Sequence, residues 1–432
     1  MRAEFRDRLR MHVCHLAKYY PPASGGIESH VQTLARGQRK SGLDVTVVCI
    51  NHRDQNGADV LRNSFSSTDS TEEVDEGVRI LRVGRRFSVS KWDYSPGLGQ
   101  KLSELSQSTP PIDLFHLHSP NVTMLLALYF LRHNAPLVVT HHSDIVKQVW
   151  GEPIVRLLER RILRRAAVVL TTSPDYAEGS RQLADFLPKV ETLPLGTELQ
   201  RYFNPSTRAL EFRDQLRARH EGPLWLSVGR LVYYKGLETA LSALNRIPGT
   251  LLIIGEGPER RALEQRAEAL GVTDRIEWLG HVSGDELVGA YHAATALLFP
   301  SNARSEAFGL VQVEAMASGC PVINTAIPYS GVAWVSLHEL TGLTVPVGNA
   351  EALAAAAQRL IQDPGLRQSL AAAAKRRSAE LFDAKQMILK SGEIYRRLMP
   401  SPHESDGTTR IPMGPTILSS SSSGLSSWRP SH

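Results

Sequence analysis

The sequence predicts an α/β protein with two Rossmann-like, doubly wound domains that face each other across a cleft. Three observations support this prediction. Short apolar runs alternate with longer stretches of helical spacing. The alternation occurs in two rounds, with a break near residue 205. The chain has 432 residues, enough for two or three domains. Because strands that alternate with helices pair in parallel and are covered on both faces, each round predicts one parallel sheet.

The first round begins with a strand at 11–17 that ends in a Pro-Pro turn followed by two glycines. Residues 27–42 have apolar side chains at helical spacing and end at a glycine, which predicts a helix. The apolar run 44–50 predicts a buried strand, and the polar segment 51–77 predicts a mobile loop or a weak hairpin. The other strands of this round are predicted at 112–118, 136–142, 166–173 and 189–194.

The second round repeats the pattern after the boundary near residue 205. Its strands are predicted at 224–230, 250–257, 276–282, 296–301 and 321–325. Its helices are predicted at 258–271, 284–294, 309–319 and 350–362, followed by 365–382 and 384–399. The tail at 400–432 is rich in serine, proline and glycine and is expected to be disordered, because it has too little apolar surface to offset chain entropy.

The composition excludes several classes of protein. Lysine plus arginine number 49 against 44 acidic residues, so the net charge of +5 is mild and does not indicate nucleic-acid binding. Three scattered cysteines, Cys14, Cys49 and Cys320, exclude a disulfide scaffold and a thiolate zinc site. The sequence has no GxGxxG, Walker A lysine loop, Asp-x-Asp, HExxH or Gly-x-Ser-x-Gly motif. Common cofactor, nucleotide-hydrolase, metal-diphosphate, metalloprotease and hydrolase signatures are therefore missing.

The expected location is cytoplasmic, with at most a peripheral contact to the inner face of a membrane. The N-terminal residues are basic but lack the apolar core of a signal peptide. The most apolar stretch outside the predicted strands, 122–131, has about half of the roughly 20 residues needed to cross a bilayer.

Ligands of open α/β sheets bind at the carboxyl ends of the strands, and polar clusters follow several predicted strands. Gly25 and Gly26 precede the first helix, where backbone N–H groups favour an anion; a plain turn is the simpler alternative. Arg230 and Lys235 follow a strand of the second round and are suited to phosphate oxygens. The alternative for this pair is a solvated surface.

Two carboxylates frame the start of the helix predicted at 309–319. Glu306 precedes the helix and Glu314 lies inside it, while the N–H groups near Gly309 would face a phosphate. Glu314 could accept hydrogen bonds from a ribose diol, and it lies between Val313 and an alanine, where a buried acid needs a partner. The alternative is a helix N-terminus with ordinary acidic residues.

Histidines form the last cluster. Thr140-His141-His142-Ser143-Asp144 follows a strand of the first round, and a histidine there could orient a sugar hydroxyl or donate to developing charge. A hydrogen-bonded structural histidine is an equal alternative. His116 and His118 are expected to line the cleft, with a metal site disfavoured because no carboxylate or cysteine accompanies them.

These motifs resemble the retaining nucleotide-sugar glycosyltransferases of the GT-B fold, in the large family 4 (glycosyltransferase group 1). The matching segments are YYPPASGGIESHV near the start, THHSD at 140–144, VGRLVYYKG at 228–236, GEGP at 255–258 and SEAFGLVQVEAMASGCPVI at 305–323. The resemblance covers roughly residues 11–399 and is nearest to the mannosyl- and hexosyltransferases of bacterial surface polysaccharide synthesis.

The resemblance implies a role for each matching position. Residues 1–204 would form the acceptor side, 205–383 the donor side, and the helix 384–399 would cross back to the first domain. Catalytic contacts would come from His142, which matches the single histidine of the family motif, and from Glu306 near the transferred sugar. The donor would contact Gly25, Gly26, Arg230, Lys235, Val282, Phe308, Gly309, Leu310, Val311 and Glu314. The nucleobase would lie near Gly280, His281 and Val282.

The implied activity is metal-independent, retaining transfer of a hexose from a nucleotide diphosphate sugar to a glycan or lipid-linked acceptor. GDP-mannose is the preferred donor and a UDP-hexose is the next. No cofactor and no metal are expected, because arginine, lysine and a helix N-terminus would neutralise the leaving diphosphate. A GT-B nucleotide-sugar epimerase and a non-catalytic sugar-nucleotide or lipid-binding module remain as alternatives.

The segment 154–165 is amphipathic and strongly basic. Ile154, Leu157, Leu158 and Ile162 follow helical spacing, and five arginines occupy much of the rest. This pattern indicates docking on an anionic membrane surface, which would suit a lipid-linked acceptor. A core-facing helix with a solvated basic face is the alternative.

Overall fold

Strands and helices alternate through two sheets in the computed structural model, which describes residues 10–23, 25–51, 70–89, 92–144 and 152–399. The predicted disordered tail at 400–432 and most of the predicted loop at 51–77 lie outside the described residues. Ser24 of the Gly-Gly turn and the segment 145–151 also lie outside them.

The first sheet contains eight of the described strands, in the order β10-β9-β8-β7-β1-β2-β4-β3. Its strands are β1 (His12–Leu16), β2 (Asp44–Ile50), β3 (Thr71–Asp75), β4 (Val78–Val83), β7 (Leu114–Ser119), β8 (Leu137–His141), β9 (Val168–Thr171) and β10 (Val190–Thr192). A separate two-stranded ribbon is formed by β5 (Phe87–Val89) and β6 (Trp92–Tyr94).

The pairing in the first sheet is parallel except at its β3 edge. Strands β3 and β4 pair antiparallel around a tight turn in which Glu76 and Gly77 both have positive φ. The last residues of the segment predicted as a loop or weak hairpin, 71–77, therefore belong to an edge hairpin. The sheet is mixed rather than purely parallel. Strand β4 was not predicted, although its apolar run is fully compatible with a buried strand.

The second sheet contains six described strands in the order β13-β12-β11-β14-β15-β16, all parallel. Its strands are β11 (Leu224–Val228), β12 (Thr250–Ile254), β13 (Ile276–Gly280), β14 (Ala296–Phe299), β15 (Val322–Thr325) and β16 (Gly342–Val345). Numbered along the chain, this is the order 3-2-1-4-5-6 of dinucleotide-binding domains.

The longer helices lie on both faces of the sheets, between the strands. In the first half they are α1 (Gly26–Lys40), α2 (Leu98–Ser106), α3 (Val122–Phe130), α4 (Glu152–Arg165) and α5 (Pro174–Glu178). The second half contains α6 (Gln200–Phe203), α7 (Thr207–Arg219), α8 (Leu237–Leu244), α9 (Arg260–Leu270), α10 (Gly284–Ala293), α11 (Leu310–Ser318), α12 (Val332–Val335), α13 (Ala350–Gln362), α14 (Pro364–Leu381) and α15 (Ala384–Leu398). None of the helices in the described ranges is long and apolar enough to cross a bilayer.

Buried apolar side chains on alternate faces of each strand explain the continuous hydrophobic runs in the sequence. In β2, Val48 and Ile50 pack in one core cluster, while Val47 and Cys49 pack in another on the opposite face. Both faces of the sheet are therefore covered, and removal of this apolar surface from water stabilises the layered arrangement.

Helix α15 returns to the first sheet. The chain pairs Thr197 with Asp383 just before the helix begins. From α15, the Tyr395 Oη lies 2.6 Å from His116 Nδ1 of β7, and the Gln38 side-chain amide of α1 donates to the Ser391 Oγ at 3.0 Å. The described residues up to Leu398 form one compact unit, and the boundary near residue 205 stays a prediction.

Candidate active site

The strand order of the second sheet reverses between β11 and β14, and a crevice forms at the carboxyl ends of strands where this happens. Gly236, in the loop after β11, has a φ of +62°. A Cβ atom there would overlap the carbonyl oxygen of Pro300, which follows β14. Only glycine allows the two loops to approach so closely, and this approach brings their charged side chains together.

Lys235 and Glu306 meet at this point. The Lys235 Nζ lies 2.5 Å from Glu306 Oε2, and the two side chains are only 14% and 11% exposed. The Ser301 hydroxyl lies 3.5 Å from the same carboxylate oxygen. The structure thus joins two residues that are 71 positions apart in sequence into one poorly hydrated ion pair at the switch point.

Arg230 lies at the solvent side of the same crevice. It is exposed and lines, with Lys235, a small cavity that also includes Gly229 and Pro300. The guanidinium is therefore available to an anion that enters from solvent, while Lys235 lies deeper.

Helix α11 begins beside this crevice, because its first residues lie against Phe299, which lines the same cavity as Lys235. Gly309 is its N-cap, with a φ of +79°. The N–H groups of Leu310 and Val311 are the first of the helix, so no carbonyl within α11 can accept from them. Phe308 contributes through its backbone only, because its side chain is 2% exposed and packs against Phe382 in the core.

Glu314 lies one turn further into α11, and its carboxylate accepts a hydrogen bond from the Tyr291 hydroxyl at 2.8 Å. Burial raises the pKa of Glu314, against the lowering effects of hydrogen bonds from Tyr291 and Tyr202 and of the charge of Arg201. The acid predicted to need a partner therefore has protein partners in α10 and α6.

Gly25 and Gly26 lie at the start of α1, where the sequence predicted a donor contact. A Cβ at Gly25 would overlap the Glu28 carboxylate, so this acid lies directly over the turn. Burial raises the pKa of Glu28. The turn therefore already carries an internal carboxylate, a feature that the sequence analysis missed.

Val282 and its neighbours follow β13, at the far edge of the second sheet. Gly280 has a φ of +62°, Val282 is partly buried against a core cluster, and His281 is exposed. They belong to the same carboxyl edge as Arg230, but two strands away from it.

The first sheet reverses its strand order between β1 and β7, and histidines occupy this second switch point. His142 follows β8 and is 4% exposed, with its Nε2 atom 3.1 Å from His118 Nδ1. Burial, and then the neighbouring histidines, lower the pKa of both rings well below the usual range for histidine. His142 is therefore neutral and linked to the interior.

The prediction that His116 and His118 line the cleft is wrong. Both side chains are buried, at 0% and 2% exposure, because residues two apart on a strand share a face and α1 and α15 cover this face of β7. His116 bonds Thr140 and Tyr395, and His118 bonds His15 and His142.

An ion pair connects the carboxyl ends of the two sheets. Asp144, after β8, receives a hydrogen bond from Arg304, after β14, at 2.5 Å. Arg304 also donates to the carbonyl oxygen of Tyr176 at 2.9 Å. Burial would raise the pKa of Asp144, but hydrogen bonds from His141 and Ser180 and the charge of Arg304 hold it below its usual range.

Sequence reasoning missed several residues of this region. Arg304 stands two residues before Glu306, and its position in a strand-end loop was the available signal. Tyr291 had no signal, because its contact with Glu314 depends on how α10 packs on α11. His30 of α1 is buried beside His118 and His142, and a lone histidine on an amphipathic helix indicates no such neighbours.

The chain has two doubly wound sheets whose carboxyl ends are joined. An ion pair and a helix N-terminus lie at the switch point of the second sheet. This arrangement defines the GT-B class of fold. Comparison with known proteins agrees. The sequence model described as "Glycosyl transferases group 1" matches residues 209–377, and that described as "Glycosyl transferase 4-like domain" matches residues 25–196. The chain belongs to the group 1 glycosyltransferases and is an enzyme of that family.

Similar proteins cover nearly the whole described chain. The D-rhamnosyltransferase WbpZ of Pseudomonas aeruginosa is 29% identical over 377 residues, which is 87% of this chain and 93% of the relative. The O-antigen chain mannosyltransferase C of Escherichia coli is 27% identical over 393 residues, 90% of this chain and 100% of the relative. The sucrose-phosphate synthase structure from Thermosynechococcus elongatus has a TM-score of 0.73 at 26% identity, covering 90% of this chain and 99% of that one.

Proposed function

We propose that the protein is a retaining hexosyltransferase that uses a nucleotide diphosphate sugar, most favourably GDP-mannose and otherwise a UDP-hexose, and that needs no metal at the diphosphate. The acceptor would be a glycan or a lipid-linked sugar of surface polysaccharide synthesis. The observation that carries this proposal is the Lys235–Glu306 ion pair, which lies at the switch point beside the N-terminus of α11.

The ion pair gives the site two separable functions when a donor binds. A diphosphate carries more negative charge than one carboxylate, so it would draw the Lys235 ammonium toward itself. Glu306 would then lose its cation partner and become free to accept hydrogen bonds from hydroxyls of the transferred sugar. The N–H groups of Leu310 and Val311, with Arg230, would share the charge of the leaving diphosphate.

His142 would act on the sugar from the opposite domain. Because its ring is neutral and its Nε2 atom faces His118, its other nitrogen would accept a hydrogen bond from a sugar hydroxyl without adding charge. Glu314 would bind the ribose hydroxyls, Gly25 and Gly26 would approach the diphosphate, and Val282 would lie at the base. In the last step of donor entry, the Glu28 carboxylate would have to move away from Gly25.

Two relatives support the choice of sugar and process. One acts as an O-antigen chain mannosyltransferase and the other as a D-rhamnosyltransferase, and the chain matches both over nearly their full lengths. Rhamnose is a deoxyhexose, so both names describe transfer of a six-carbon sugar. We therefore propose a hexose as the sugar that this chain transfers.

The test is transfer of radiolabelled mannose or glucose from its nucleotide donor to a bacterial membrane lipid extract, with a chelator present. Lys235→Ala and Glu306→Gln should each lower the rate by about 100- to 1000-fold, as for removal of one preorganised charge contact at a transition state. Lys101→Ala is the matched control, since Lys101 pairs with Glu104 on the surface, at 3.3 Å.

Three results would contradict the proposal. Full activity in both variants would remove the assigned roles of Lys235 and Glu306. Loss of activity with the chelator would show that the diphosphate needs a metal. Isomerised donor formed without any acceptor would indicate an epimerase instead, and an anomeric assignment of the product by proton NMR would test retention directly.

We also propose that the protein docks on the anionic inner face of a membrane through α4 and the neighbouring α3. Ile154 and Leu157 are 65% and 67% exposed, and Phe130 of α3 is 74% exposed. The predicted apolar stripe is therefore divided, since Ile162 packs in the core and Leu158 is partly buried. Exposed apolar side chains next to arginines favour an interface with lipid headgroups.

A further inference from the structure

We propose that His30, His118 and His142 form a binding site for a transition-metal dication of the zinc class, at the switch point of the first sheet. Their nearest ring nitrogens all lie within 4.8 Å of one another. The site is separate from the diphosphate contacts at Lys235, so it does not conflict with metal-independent departure of the diphosphate.

The first observation is that His30 has no hydrogen-bond partner among the described residues. Both of its ring nitrogens are buried and unpaired, and the residue is 1% exposed. A buried polar group without a hydrogen-bond partner costs free energy, so such a group indicates a ligand that the structure does not contain. A metal ion bound through one nitrogen would account for it.

The second observation is the direction of the hydrogen bonds behind His118. The Gln38 side-chain nitrogen lies 3.0 Å from Ser391 Oγ and 3.2 Å from Tyr395 Oη, which places Gln38 Oε1 toward His15 Nε2 at 2.8 Å. His15 Nε2 therefore carries the proton, and its Nδ1 must accept.

The His15 Nδ1 atom lies 3.0 Å from His118 Nε2, which must then be the donor. A neutral imidazole has one N–H and one lone pair, so the lone pair of His118 lies on Nδ1. That atom faces His142. Metal-binding histidines commonly donate their other N–H to a fixing partner, and the chain through His15 to Gln38 provides one.

The separation of His118 and His142 suits two ligands of a tetrahedral ion. The His118 Nδ1 and His142 Nε2 atoms are 3.1 Å apart. Zinc–nitrogen bonds of about 2.0–2.1 Å imply roughly 3.3 Å between two tetrahedral ligands. Binding would replace the hydrogen bond between these rings: the proton of His142 moves to Nδ1, and its Nε2 lone pair joins that of His118 on the metal.

The neighbouring group of His15, His116 and His118 fits a metal less well. Each ring nitrogen of His15 and His116 already has a partner, from Gln38, His118, Thr140 or Tyr395. A metal there would have to break bonds that the structure satisfies, whereas His30 has none to lose.

Occupancy would hold the His142 ring in place and thereby inhibit transfer; this consequence, unlike the site itself, rests on the proposed function. The expected pattern is inhibition by micromolar-range zinc that a chelator reverses. Arg230 and Lys235 should still bind the nucleotide in the zinc-loaded protein, so loss of transfer without loss of nucleotide binding is the signature.

The test is titration of the untagged, full-length protein with Co²⁺, followed by visible spectroscopy, and with Zn²⁺, followed by calorimetry. The wild type should take up one equivalent and develop the intense d–d absorption of a tetrahedral cobalt site. His30→Leu should lose both signals while keeping its circular dichroism and melting temperature, because no hydrogen bond of His30 is lost. His281→Ala, which removes an exposed histidine, is the matched control and should keep them.

Three results would overturn the proposal. If the wild type shows no cobalt band and takes up no zinc, His30 is hydrogen-bonded to water or has no partner. Unchanged binding in His30→Leu would exclude His30 as a ligand. A His116→Gln variant that abolishes binding while His30→Leu does not would assign the metal to the neighbouring group instead.

Discussion

The pKa values and ion pairs of the charged side chains at this site depend on burial and on partners that are distant in sequence. Lys235 and Glu306 were each recognised at the end of a predicted strand, but their contact depends on β11 and β14 being neighbours, which local sequence does not encode. Glu314 was expected to need a partner, and Tyr291 fills that place. His30 went unrecognised, because its histidine neighbours come from β7 and the end of β8.

Glu314→Gln should change how stability depends on pH. Because the folded-state pKa of Glu314 is raised, the folded protein holds this proton more tightly than the unfolded chain, and stability falls as pH rises from the unfolded value through the folded one. Glutamine keeps an acceptor for Tyr291 but does not ionise. Urea unfolding between pH 4 and pH 7 should therefore show the variant gaining stability relative to the wild type as pH rises.

A parallel pair of curves across that pH range would contradict the assignment of a raised pKa to Glu314. Glu351→Gln is a suitable control, since Glu351 is an exposed acid paired with Arg246, and surface pairs contribute little.

Helices and strands were predicted well where their hydrophobic period was long and clear. Strands β1, β2, β11 and β12 fall within their predicted segments, as do α9 and α13. The misses are β4, β16 and the short β5–β6 ribbon, which are only three to six residues long and so show little hydrophobic period. The face on which α4 is buried could not be decided from spacing, because both of its sides carry apolar residues.

Reversing charge on α4 should weaken membrane binding. Arg160→Glu with Arg164→Glu should lower sedimentation with anionic phospholipid vesicles, since each basic residue near such a surface contributes about 1 kcal/mol. The Arg160–Asp185 pair, at 2.5 Å, is more than half exposed, so its loss should cost little stability.

Arg261→Glu with Arg266→Glu is the control for that experiment. Both residues are exposed on α9 of the other sheet, and the change in net charge is the same. Equal sedimentation of the α4 variant and wild type, or equal loss in the control, would remove α4 as the docking element.

At the scale of the whole molecule, the two rounds of alternation predicted two sheets and therefore the class of fold. The contacts that connect the two halves were not predictable, because they join residues far apart in sequence: Asp144 with Arg304, and His116 of β7 with Tyr395 of α15. The Asp144–Arg304 contact joins the loop after β8 of the first sheet to the loop after β14 of the second.

The central claim is that the switch point of the second sheet binds a nucleotide diphosphate sugar without a metal. The most direct measurement is the thermal shift of the protein with GDP-, UDP- and ADP-sugars in the presence of a chelator, because a ligand that binds only the folded state raises the melting temperature. One donor should raise it in the wild type and in Lys101→Ala, and the shift should be lost in Lys235→Ala. No shift with any donor, or the same shift in Lys235→Ala, would contradict the account.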